Sequence, residues 1–253
     1  MLLPREHGAY GQLLFPLVAA LLIGRPAAGA YLLAAAASAA FLAHESLLVV
    51  LGQRGSRAAR EQGRDARGTL ALLGGFCGVT AVVSLTVLSR TALWSLSLPL
   101  VLAMLVALAL FMHRERSTAG ELLVAAALAS LSVPIALAGG VTRVAAFTLF
   151  LVFAAVFVTA TIAVRQVIGR VTRAGGPPTW IAAALPPGVV VTFIVLARSG
   201  WLAAVAPYAS LPVSVVALGL VAWAPSPRYV RAIGWTLVGA TTLTAGLLVA
   251  ALA

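Results

Sequence analysis

Residues 29–52 read GAYLLAAAASAAFLAHESLLVVLG, an apolar run whose polar members are Ser38, His44, Glu45 and Ser46. A helix that crosses a bilayer needs about 20 apolar residues, so this stretch reads as a membrane span. Eight more follow the same logic, at about 9–24, 69–89, 92–112, 120–139, 143–164, 179–197, 201–223 and 232–252. The 253 residues are 62% apolar and 9% charged, with a mean hydropathy of +1.08. Soluble domains average about 45–50% apolar and about 25% charged. The composition excludes a soluble enzyme, a disordered chain and a nucleic-acid-binding module. It predicts an all-α, polytopic bundle of about nine transmembrane helices, a single integral membrane domain over 1–253.

Two of the later spans contain paired prolines. The seventh holds Pro186-Pro187-Gly188 and the eighth Pro207 and Pro212. Carbonyls freed by a proline inside a bilayer must be satisfied by neighbouring helices or water, so kinks are expected there.

All 17 basic residues are arginine. With the N-terminus inside, thirteen of them fall in inside regions. The other four, Arg25, Arg90, Arg143 and Arg198, fall outside. Arginine accumulates in cytoplasmic loops, which accounts for the net charge of +11 without nucleic acid. The expected location is a bacterial plasma membrane, N-terminus inside and C-terminus outside. The run after Arg5 has the length of a signal-peptide core. It reads as a retained helix, because Arg5-Glu6-His7-Gly8 is polar for a leader. The one cysteine, Cys77, has no partner for an intrachain disulfide. Arg5-Glu6 with Gly11-Gln12-Leu13-Leu14 matches Arg114-Glu115 with Gly120-Glu121-Leu122-Leu123 at an offset of 109. That points to two halves, 1–113 and 114–230, and a ninth helix over 231–253.

All six acids and all three histidines lie toward the inside. His44 and Glu45 are the most informative. Counted back from Gly52 at 1.5 Å per residue, they lie about 12 and 10 Å inside the membrane. Ionisable groups there cost about 2.5–3.5 kcal/mol and face the protein interior or a wet cavity. They are the candidate catalytic residues together with His7, which titrates near neutral pH. Adjacent on a helix, His44 and Glu45 point about 100° apart. Arg5, Glu6 and Gln12 surround His7 as candidate binding residues, with Gly8 and Gly11 permitting close helix contact. Between Gln53 and Gly68, Arg54, Arg57, Arg60, Arg64 and Arg67 recur at three and four, a basic stripe on one helical face. Arg54, Arg57 and Arg165 are candidates for holding a phosphate-like headgroup, since arginine binds such oxyanions bidentately. The same stripe also suits anionic lipid headgroups. Three scattered histidines announce no metal site.

Pro4-Arg5-Glu6-His7-Gly8-Ala9-Tyr10 and His44-Glu45-Ser46-Leu47-Leu48 with its Arg-rich loop resemble the YwiC-like family of bacterial membrane proteins. Nine spans in two four-helix halves also resemble the UbiA prenyltransferase superfamily. That resemblance implies prenyl transfer and Mg²⁺ held by Asp-rich loops after the second and sixth spans. Here the first loop offers Glu61 and Asp65 without N-D-x-x-D, and the second offers Arg165, Arg170 and Arg173 and no acid. Magnesium belongs to the chain only with UbiA-like activity. The expected function is a cytoplasm-facing polar pocket that binds or modifies an isoprenoid or other lipid-like substrate. A small-molecule or ion transporter, with Pro186-Pro187-Gly188 as a broken helix, and a non-catalytic membrane assembly factor are the alternatives. The arginine split predicts that a reporter fused after Ala253 behaves as periplasmic; cytoplasmic reporter activity would remove the nine-span topology.

Overall fold

The computed structural model describes residues 7–112, 117–170 and 176–253. Among the described residues the chain is all-helical. Its nine helices are α1 (His7–Leu22), α2 (Ala28–Val50), α3 (Ser56–Val87), α4 (Arg90–Phe111), α5 (Thr118–Ala138), α6 (Arg143–Gly169), α7 (Thr179–Arg198), α8 (Ala206–Trp223) and α9 (Val230–Leu252). All but α1 are long and apolar enough to cross a membrane; the apolar part of α1 covers Ala9–Leu22. The expected membrane bundle is therefore the observed one. The boundary at 113/114 lies outside the described residues.

The core forms around α6, which packs on α1, α5, α7, α8 and α9. Its Ala146, Leu149, Val152, Phe153 and Val156 are fully buried, and Phe153 and Phe157 stack at 5.7 Å. These positions recur at three and four, so they form one wide apolar face. Helix α2 makes a different contact. Gly29 lies against Val87 and Leu88, where an added Cβ would sit 3.1 and 3.2 Å from their side chains. Ala36, Ala39, Ala43 and Ser46 continue the line at helical spacing, and all are buried. The buried residues of α3 are also small: Gly63, Ala66, Thr69, Thr80 and Ser84. Small residues let two backbones approach closely inside a membrane, and α2 and α3 form such an antiparallel pair.

Four expectations need correction. Helix α3 begins at Ser56, not near residue 69, so the arginine stripe is part of it. Its 32 residues measure about 48 Å against about 30 Å of hydrocarbon. Helix α6 continues past residue 164 to Gly169, and α8 starts at Ala206 rather than residue 201. The helix breaks also fall elsewhere. Helix α7 is continuous through Pro186-Pro187-Gly188, so the broken helix wanted for a transporter is not there. The interruptions are at Leu96 in α4 and Leu131 in α5. Each lies three residues before a proline, Pro99 and Pro134. A proline ring removes one N–H and clashes with the carbonyl four residues back, at Ser95 and Ser130. Nearby hydroxyls satisfy carbonyls around both breaks: Ser95 donates to Ala92 O, Ser97 to Trp94 O, Ser130 to Ala127 O and Ser132 to Ala129 O, at 2.7–2.8 Å.

A close backbone approach joins the ends of α1 and α5. The Arg25 N–H donates to Gly139 O at 2.9 Å, and a Cβ on Gly24 would lie 2.8 Å from that oxygen. Gly24→Ala should therefore lower stability by about 1–3 kcal/mol. Gly74→Ala, in α3 with open space around it, should be neutral or raise stability by about 0.5–1 kcal/mol. Melting temperatures in detergent check the opposite signs.

Candidate functional site

The charged end of the bundle is built from helix termini. Helix α2 runs to Val50, and the chain then reverses through Gly52 and Gly55, whose φ values are +74° and +90°. Side chains other than glycine rarely adopt that region, so the two glycines make the reversal possible. It swings Arg54 back onto the helix just left. Arg54 donates from Nε to Glu45 Oε1 at 2.8 Å and from Nη2 to Oε2 at 2.6 Å. Both side chains are about one-fifth exposed. Gln53 reaches the end of α4, donating to Leu110 O at 3.3 Å.

A second pair of the same kind joins α6 to α5. Arg165 donates from Nε to Glu121 Oε2 at 2.7 Å, places Nη2 2.6 Å from Oε1, and donates from Nη1 to Thr118 Oγ1 at 3.0 Å. Glu121 lies in the first turn of α5, where a carboxylate faces the positive end of the helix dipole. One residue on, buried Gln166 donates to Thr179 Oγ1 of α7 at 2.7 Å. Arg170 donates to Val221 O of α8 at 3.0 Å. These contacts tie α5, α6, α7 and α8 together at one level.

The candidate residues are thus placed as follows. Glu45 and Arg54 are brought together, and His44 is half-buried beside Glu45. Arg165 belongs to the separate pair on Glu121. Arg57 is exposed and donates to Glu61 at 2.8 Å on the extension of α3. Gln12 is half-buried on α1, and His7 opens that helix. Arg5 and Glu6 lie outside the described residues. Helix α1 meets α2 through Tyr10 and Phe41, edge to face at 5.2 Å. Gly11 takes no part in that contact, since a Cβ there would meet only Phe15 of its own helix. The Tyr10–Phe41 aromatic pair joins these two helices.

The residues read from the sequence did not include Glu121, Thr118, Gln166 or Thr179 as partners. Gln166 carried a usable signal, because a polar amide inside an apolar run must find a partner. Among the described residues no three His, Cys, Asp or Glu side chains gather as a metal set. Glu61 is engaged by Arg57, and arginine replaces carboxylate at the end of α6. A Mg²⁺ ion needs carboxylate oxygens, so this donor set does not fit one. Two cavities lie away from the charged end. One, of about 440 Å³, opens between the start of α6 and the end of α7. The other is an apolar groove between α8 and α9.

The Glu45–Arg54 pair should couple energetically. Glu45→Ala and Arg54→Ala should each lower stability by about 1–2 kcal/mol by stranding a charged partner. The double variant should lose clearly less than the sum. Detergent melting curves of the four proteins measure the coupling.

No curated protein and no solved structure matches the chain. A family model described as YwiC-like protein matches residues 3–136, just over half of the chain. The matched region carries α1, α2 with His44 and Glu45, the Arg54 turn, α3, α4 and most of α5 with Glu121. The chain is a multi-pass helical membrane protein that belongs to the YwiC-like family.

Proposed function

We propose that this YwiC-like protein lies in the bacterial plasma membrane, N-terminus inside, and binds an anionic lipid-like amphiphile at its arginine-rich end. The ligand class is an isoprenoid or similar chain bearing a phosphate or pyrophosphate. The observation that carries this reading is the two-nitrogen grip of Arg54 on Glu45. A guanidinium offers phosphate oxygens the same two-donor face that it offers a carboxylate. The pair is partly open to the surroundings, so a headgroup can exchange with Glu45 on Arg54.

That exchange defines roles. Arg54 and Arg57 neutralise the headgroup from the α2–α3 side, and Arg165 does so from the α5–α6 side. Arg5, Glu6 and Gln12 are assigned to binding the substrate. Glu45, released from Arg54, becomes the acid/base group, with His44 and His7 as proton carriers. The internal plan proposed with this reading is two four-helix halves, 1–113 and 114–230, followed by a ninth helix over 231–253. No metal step is included, because the donor set argues against one.

Mass spectrometry of small molecules extracted from the purified protein tests the reading. A phosphate-bearing amphiphile should accompany the wild type and fall about tenfold in Arg54→Gln, the loss of one charge-assisted contact. Glu45→Gln should keep the ligand and lose its conversion. If both variants lower thermal stability and leave the extracted molecules unchanged, the pair only fastens the α2–α3 turn.

A further inference from the structure

The opposite end of the bundle has the reverse chemistry. Among the described residues the acids, Glu45, Glu61, Asp65 and Glu121, belong to the end just described, whereas Arg25, Arg90, Arg143 and Arg198 stand at or beside helix ends on this one. Among the described residues, Arg143 has no hydrogen-bond or ion-pair partner. It is the first residue of α6 and stands at the end of the half-open cavity of about 440 Å³.

The rest of that cavity is apolar. Phe147 and Leu151 line it from α6, Leu196 from α7, and Trp201 and Leu202 from the segment after α7. Arg143, Phe147 and Leu151 recur every four residues, so they share one face, and they span about 12 Å along the helix. The wall is fixed in place: the Ala203 N–H donates to Thr148 Oγ1 of α6 at 2.9 Å. Trp201 is 74% exposed, and tryptophan concentrates at the level of lipid headgroups. An unpaired cation therefore stands over an apolar slot beside an interfacial aromatic, at an end of the protein that, among the described residues, supplies no acidic side chain.

We propose that this cavity is a binding site for one anionic phospholipid, distinct from the arginine-rich end. The phosphate pairs with the Arg143 guanidinium, and one acyl chain lies along Phe147, Leu151 and Leu196. Charge complementarity selects the class: the counter-ion to Arg143 comes from the membrane. A zwitterionic lipid carries its own cation and gains less from the site.

The test uses the full chain in nanodiscs of equal phosphatidylglycerol and phosphatidylcholine, released into mild detergent for native mass spectrometry. The wild type should retain one phosphatidylglycerol in preference to phosphatidylcholine. Arg143→Gln, at an exposed position, should reduce that occupancy about tenfold, as expected for losing a charge-assisted contact. Leu151→Trp, which fills the slot, should reduce it as well. Arg90→Gln removes the same charge at the same end but outside the cavity, and should leave it unchanged. Equal retention of the two lipids, wild-type retention in Arg143→Gln, or an equal loss in Arg90→Gln would overturn the proposal.

Discussion

Hydrocarbon does not solvate a peptide group, and each unsatisfied N–H or C=O inside a bilayer costs several kcal/mol. That constraint makes the described residues all-helical and governs how the chain treats its interruptions. Pro99 and Pro134 break α4 and α5 where serines stand ready to accept the loss. Two buried threonines obey the same rule across helices, whereas the buried Ser46 and Thr159 hydroxyls find no partner among the described residues. Thr244 of α9 donates to Ala209 O of α8 at 2.7 Å, and Thr148 accepts the Ala203 N–H. Polar residues in this apolar chain therefore act largely as backbone partners.

The bundle is held by two kinds of packing. Around α6 large side chains interdigitate, with Phe153, Leu149 and Val152 removed from any outside contact. Between α2 and α3 the buried residues are mostly glycine, alanine, serine and threonine, with Val87 and Leu88 closing on Gly29. Water gives no hydrophobic drive between helices inside lipid, so close backbone approach and dispersion carry this second contact. It also explains how α3 can extend beyond the membrane thickness while its opposite face stays open. The extension lifts Arg57, Arg60, Arg64 and Arg67 clear of the hydrocarbon, where their charge is tolerated.

Charge is divided between the ends. At one end arginines meet carboxylates in two bidentate pairs, Arg54 with Glu45 and Arg165 with Glu121. At the other, among the described residues, arginines have no acidic side chain to meet. Partly buried guanidinium pairs fasten a structure when one partner alone would be stranded. They also hold the donor geometry that a phosphate requires. Fastening and anion recognition are therefore compatible uses of the same side chains, and the exposure of each pair sets which is accessible.

The sequence by itself determined the class, the number of helices and the family, because apolar run length is a local property and the bilayer sets its threshold. It also marked Glu45 as the costly residue, since depth in a span follows from counting. Local reading could not place the breaks at Pro99 and Pro134 instead of Pro186, because whether a proline interrupts a helix depends on what surrounds the freed carbonyl. Nor could it pair Arg54 with Glu45, which needs the reversal through Gly52 and Gly55, or Arg165 with Glu121, which are 44 positions apart. It gave no sign that Tyr10 meets Phe41, or that a cavity opens beside Arg143. Those are contacts between helices, and only tertiary packing decides which faces meet.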